Sequence, residues 1–140
     1  MSFCTVINCM DGRVQLPVIK YLQKVFRVKH VDTITEAGPN LILATRADAA
    51  LVQGILRRVS ISIEKHRSVG IAVVGHEDCA GNPAPYPDQL GHIRSSVEFL
   101  RSRYQGTKVI GLWVDGEWQV HEVVPHDETS GGRVDPYQEG

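Results

Sequence analysis

The chain has 140 residues, 42% hydrophobic and 22% charged, and 15 Lys+Arg against 16 Asp+Glu leave a net charge of −1. This is the size of one soluble domain, large enough to bury a core without disulfide staples. Balanced charge argues against nucleic acid as a partner, and no apolar run approaches the roughly 18 residues of a membrane span.

Residues 3–8 form a short apolar, β-prone run that ends at Cys9-Met10-Asp11-Gly12-Arg13. Leu16-Pro17 opens a helix, whose apolar face is Val18, Ile19, Leu22, Val25 and Phe26. Residues 31–35 read as a second strand, closed by a turn at Gly38-Pro39-Asn40. Thr45 is the expected cap of the next helix, with Leu51, Val52, Ile55, Leu56, Val59 and Ile63 on its inner face. Gly54 within that helix suggests close packing on a sheet.

Residues 69–74 are a continuous apolar run, as in a strand covered on both faces. It leads into Gly75-His76-Glu77-Asp78-Cys79. Beyond a Gly/Pro-rich loop, Leu90, Ile93, Val97 and Leu100 mark another helix, and residues 109–114 another covered strand. Asp115-Gly116 signals a two-residue hairpin, with Trp118, Val120, Glu122 and Val124 continuing as an antiparallel edge strand. Residues 125–140 read as a polar C-terminal tail or arm after a single domain spanning 1–124.

The order β-α-β-α-β-α-β-β predicts an α/β fold: a mainly parallel sheet of four strands plus one antiparallel edge strand, with helices on both faces. A common strand order for such sheets is 2-1-3-4-5, and ligands gather beyond the carboxyl ends of the strands at the switch point between strands one and three. Cys9 and His76 fall at those two ends. Cys9, His76 and Cys79 are two thiols and an imidazole, a good zinc set that leaves a fourth position open. Asp11 is close enough in sequence to reach the same ion or its water, and Arg13 to pair with Asp11.

Cys9-x-Asp11-x-Arg13 and His76-x-x-Cys79, each after an apolar strand, resemble the zinc motifs of the β-class carbonic anhydrases. The likeness runs from about Thr5 to Val120 and includes the Ala37-Gly38-Pro39-Asn40 turn. It departs at Ala80, which separates Cys79 from Gly81, and at Gly12 between Asp11 and Arg13. The resemblance implies that Cys9, His76 and Cys79 bind Zn2+. Asp11 and Arg13 would form a catalytic dyad, in which Asp11 accepts a hydrogen bond from zinc-bound hydroxide or ligates the metal in a closed state. Two thiolates and a neutral imidazole cancel the charge of the ion, so the water pKa should fall only modestly, and an acceptor that fixes the hydroxide gains importance.

The implied function is reversible hydration of carbon dioxide to bicarbonate. Alternatives are a zinc hydrolase of carbonyl sulfide or carbon disulfide, or a non-catalytic zinc-binding relative. A thiol phosphatase is disfavoured, because the position six after Cys9 is Gln15 rather than Arg. Glu77 and Asp78 read as a solvated loop face. His30, His66, His92, His121 and His126 read as surface or satisfied residues.

The three cysteines suit a reducing compartment, and the N-terminus lacks the features of a secretory leader, so a cytoplasmic location is expected. The apolar edge strand and the resemblance both imply a homodimer or higher homo-oligomer. Only eight residues precede Cys9, so the N-terminal arm common in the family is expected to be missing, with residues 125–140 embracing the partner instead.

Overall fold

The computed structural model describes residues 2–126. In chain order the elements are β1 (Phe3–Cys9), a 3-10 turn (Gly12–Val14), α1 (Gln15–Val25), β2 (His30–Glu36), α2 (Pro39–Thr45), α3 (Ala49–His66), β3 (Gly70–His76), α4 (Tyr86–Arg103), β4 (Lys108–Val114) and β5 (Val120–Val124). Among the described residues the strands form a five-stranded sheet in the order β2-β1-β3-β4-β5. β1, β2, β3 and β4 are parallel, and β5 pairs antiparallel with β4. This is the architecture expected from the sequence.

Strand side chains alternate between two cores. Ile7, Ile71, Val73, Val109 and Trp113 point to one face, covered by Leu43 of α2, by Val52, Ile55, Leu56 and Val59 of α3, and by Ile93, Val97 and Leu100 of α4. Cys4, Val6, Ala72, Val74, Ile110 and Leu112 point to the other, covered by Val18 and Leu22 of α1. Helices thus lie on both faces, three against one. Gly111 sits under α4, where a Cβ would come within 2.5 Å of Ile93.

Several local expectations differ from the structure. The 37–40 turn is the entry to α2: Gly38 is left-handed at φ 65° and Pro39 begins the helix. Thr45 ends α2, its hydroxyl donating to the Leu41 carbonyl, and Asp48 caps α3 by accepting from the Leu51 N–H. A short helix, α2, stands where the sequence predicts a turn, which moves the cap three residues on. Gly54 faces open space rather than the sheet, and Leu51 is 37% exposed. Trp113 is buried in the core and meets Tyr86 edge-on.

The β4–β5 connection is longer than a two-residue hairpin. Val114 pairs with Val120, so residues 115–119 form the loop. The Asp115 carboxylate accepts from the Glu117 and Gln119 N–H groups and from His121 Nε2 at 2.7 Å, which draws the wider loop together. Trp118 therefore lies in the loop and not on the strand. Arg101 donates to the Val109, Pro125 and His126 carbonyls and directs the chain off the sheet. The rest of the expected 125–140 arm lies outside the described residues.

Candidate metal centre

β1 and β3 are neighbours that send their following chains to opposite sides of the sheet, which opens a crevice at their carboxyl ends. Cys9 is the last residue of β1 and His76 the last of β3. Cys79 follows a tight turn in which Asp78 is left-handed at φ 56°. The donor atoms of Cys9, His76 and Cys79 all lie within 4.8 Å of one another, and all three residues are buried.

The two sulfurs are 3.8 Å apart, far beyond the roughly 2.05 Å of a disulfide. Two bonds of about 2.3 Å at a tetrahedral angle span about 3.8 Å, so the pair is set for one tetrahedral metal ion. That separation also permits a thiol hydrogen bond, so His76 is the more telling residue. Its Nδ1 donates to the Glu77 carbonyl at 2.8 Å, which fixes the tautomer and leaves a lone pair on Nε2. His76 is 0% exposed and Nε2 has no hydrogen-bond partner. A buried imidazole nitrogen that adjoins two sulfurs, with no well-formed hydrogen bond of its own, suits a cation held between the three. The donor set fits zinc, with the fourth position left to water or substrate.

The backbone around the sulfurs is tightly built. The backbone N–H groups of Gly38 and Asp11 favour the thiolate at Cys9, and those of Asn82 and Gly81 favour it at Cys79. A Cβ on Gly81 would lie 2.3 Å from the Ala37 carbonyl carbon, and one on Gly38 would lie 2.6 Å from that of Gly81. The close approach needs glycine at 81, one residue later than the family pattern, because Ala80 precedes it. Gln15 donates to the Cys9 and Asp11 carbonyls at 2.7 and 3.0 Å. Behind the crevice, buried Gln89 donates to the carbonyls of His76, Asn82 and Ala84 and accepts from Asn40.

Without metal, the two thiols titrate as a pair. A hydrogen bond from Cys79 holds Cys9 far below the ordinary thiol range, and the same bond, with burial, pushes Cys79 up. Burial alone would lower the His76 pKa, but the adjoining Cys9 thiolate and the Glu77 carbonyl reverse the direction. A divalent cation would displace the proton the sulfurs hold.

Asp11 is outside this ligand cluster and bound to Arg13. Arg13 Nη2 donates to Asp11 Oδ2 at 2.7 Å, Nε to Oδ1 at 3.0 Å, and the Arg13 backbone N–H to Oδ1 at 2.9 Å. The guanidinium hydrogen bonds keep the Asp11 carboxyl at about 2. The pairing foreseen between Asp11 and Arg13 is therefore present, beside the ligand cluster. Asp78 is solvated as the sequence predicts, its side chain 79% exposed, and it also meets Arg13 from the β3 loop, while Trp118 lies against the guanidinium at 4.6 Å. The only sequence signal for Asp78 was its place inside His76-x-x-Cys79, and Trp118 gave none. His66 bonds Asp32, His92 bonds Asn82 and His121 bonds Asp115, while the His30 ring lies against Phe3.

A parallel sheet with a Cys2His cluster at its switch point and a carboxylate–guanidinium pair beside it defines the class. The model of the putative carbonic anhydrase family matches residues 1–124, and the chain belongs to that family. No curated protein matches the sequence. Among solved structures, the fold is similar to one of two tetrameric β-carbonic anhydrases from the filamentous ascomycete Sordaria macrospora. The TM-score is 0.54 at 12% identity, covering 86% of this chain and 80% of that one. It is also similar to the β-carbonic anhydrase CafA of the fungal pathogen Aspergillus fumigatus, with TM-score 0.51 at 17% identity, covering 89% and 76%. At these identities the likeness is one of fold.

Proposed function

We propose that this chain is a zinc-dependent enzyme that reversibly hydrates carbon dioxide to bicarbonate. The observation that carries the reading is the buried, unpartnered Nε2 of His76 beside two sulfurs 3.8 Å apart, next to a carboxylate that Arg13 occupies. Cys9, His76 and Cys79 would hold the metal. Bound zinc supplies a water with a lowered pKa, a nucleophile for a small electrophilic carbon. Asp11, kept ionised by Arg13, is an acceptor only and cannot donate a proton. It would orient the attacking oxygen by accepting its remaining proton, leaving a lone pair for the carbon. Arg13 holds Asp11 through two guanidinium nitrogens and so keeps it from competing for the metal.

The unit that acts is the 1–124 domain, with 125–140 as an arm. Met10 and Leu16, each 65% exposed beside the centre, and the β5 edge support a homodimer or a higher homo-oligomer. No helix among the described residues is long and apolar enough to cross a membrane, and the free cysteines fit a reducing compartment such as the cytoplasm.

The test is stopped-flow carbon dioxide hydration from mildly acidic to alkaline pH, with zinc measured on the same samples. Wild type should carry about one zinc per chain and gain activity as pH rises. Arg13→Ala should abolish turnover with zinc retained, and Asp11→Asn should reduce it. A zinc-replete wild type that hydrates no carbon dioxide at any pH would refute the reading.

A further inference from the structure

Arg13 is held from three directions, and only one belongs to its pairing with Asp11. From the β3 loop, Arg13 Nη1 lies 3.3 Å from Asp78 Oδ2, and Nη2 donates to the Asp78 carbonyl at 3.1 Å. From the β4–β5 loop, the Trp118 ring lies against the guanidinium, its centroid 4.6 Å from Cζ. These contacts join three chain segments that are remote in sequence.

Both outer holds come from residues in left-handed backbone, Asp78 at φ 56° and Trp118 at φ 62°. Among the described residues, the other non-glycine residues with positive φ are Arg27, Arg46 and Arg67. Arg46 and Arg67 cap α2 and α3, and Arg27 follows the cap of α1, where such a conformation is common. Asp78 and Trp118 end no helix. Aspartate tolerates the region, but a bulky aromatic there is an outlier. In the 115–119 loop Trp118 occupies the position after the turn that normally takes glycine, although Gly116 stands only two residues earlier. Backbone strain of this kind persists where the surroundings impose it, and it gathers at functional sites.

The Arg13–Asp11 pair needs such support. The Arg13 side chain is 45% exposed, and exposed ion pairs with long side chains are weak and readily broken. An aromatic face removes water from one side of the cation and strengthens its other contacts. The Asp78 side chain is 79% exposed, so its firmer hold is the backbone carbonyl, which ties the cation to the turn that presents Cys79.

We propose that Asp78 and Trp118 are positioning residues that lock Arg13 onto Asp11 and so keep that carboxylate aimed at the reacting water. The catalytic consequence rests on the hydration reading above; the clamp itself does not.

The test reads Arg13 directly. In 15N-labelled protein, the Arg13 Nε–H resonance, assigned by its loss in Arg13→Lys, reports side-chain order and solvent exchange whatever the metal content or activity. In wild type it should be ordered and protected. Trp118→Gly removes the ring and relieves the left-handed strain, at the cost of its packing against the core under α1, and circular dichroism should show the fold kept. Its Arg13 Nε–H should nevertheless exchange about three to ten times faster, with hydration at subsaturating carbon dioxide falling by a similar factor and zinc retained. Asp78→Ala, an independent variant in another loop, keeps the carbonyl contact and so should move the same two readouts in the same direction, by less than Trp118→Gly. Trp118→Phe, which keeps an aromatic face, should preserve most of both. An Arg13 Nε–H equally protected in Trp118→Gly and Asp78→Ala would overturn the clamp. A wild type clamped as described but unable to hydrate carbon dioxide supports the clamp and overturns the functional reading instead.

Discussion

β1 carries a cysteine near each end, and the two live in opposite chemistry. Cys4, at the amino end, is fully buried, and burial followed by the charge of Asp32 pushes its thiol up to about 12. Cys9, at the carboxyl end, is held down as a thiolate by its bond with Cys79. The polar groups around them differ in the same sense. At the amino end Ser62 accepts from Thr5 at 2.6 Å, donates to Asp32 at 2.6 Å, and shares a 2.6 Å bond with Ser68. His66 meets the same carboxylate oxygen at 2.6 Å. Ser, His and Asp together suggest a hydrolytic triad, but the order is wrong: Asp32 sits between Ser62 and His66, so the imidazole does not face the hydroxyl. Each buried hydroxyl there has a partner. At the carboxyl end, His76 Nε2 has none. The lesson is that residue type alone does not mark a site; three metal-ligating groups converging on one buried point do.

The sharpest way to break this contrast is to remove the orphan. His76→Ala should lose nearly all bound zinc, with hydration falling to background, while the fold survives. Elemental analysis with circular dichroism checks it, and full zinc retention would contradict the ligand assignment.

At the opposite end, Ser62→Ala removes a donor from Asp32 and an acceptor from Thr5 and Ser68. It should destabilise the fold by about 1–3 kcal/mol in urea titration and leave zinc content unchanged. Loss of zinc in this variant would show that the two ends are not independent.

Cys4 gives the pH-dependent version. Its folded pKa of about 12 lies above the ordinary value of 9.0, so above pH 9 the unfolded chain releases a proton that the folded one keeps. Stability is fully present below that range and falls as pH rises through it, by an amount on the order of 1 kcal/mol or more. Urea midpoints from neutral to alkaline pH should show a shallower decline in Cys4→Ala than in wild type. Equal slopes would remove Cys4 as the cause.

The smallest effect separates two glycines. Gly54 faces open space, so Gly54→Ala should stabilise α3 by about 0.5–1 kcal/mol, read as a higher melting temperature with zinc unchanged. The same change at Gly81 would drive a Cβ into Ala37 and should lower both stability and zinc affinity.

Much of this molecule was legible in the amino-acid order. Strand runs, helical faces and their alternation come from near-neighbour periodicity, and a right-handed β-α-β path then leaves few sheet orders open. The ligand types of Cys9, His76 and Cys79 and the closeness of Asp11 to Arg13 are also local, and the family motifs lie in those same short runs. Tertiary structure alone decided the rest. Nothing near Asp78 or Trp118 in the chain announces Arg13, because those contacts join loops brought together by sheet packing. The need for glycine at 81 comes from the Ala37 backbone across the crevice. That Cys4 is inert while Cys9 faces two metal-type partners depends on which end of one strand each occupies. Periodicity is written in near neighbours, whereas an unmet valence exists only once remote segments have excluded water from it.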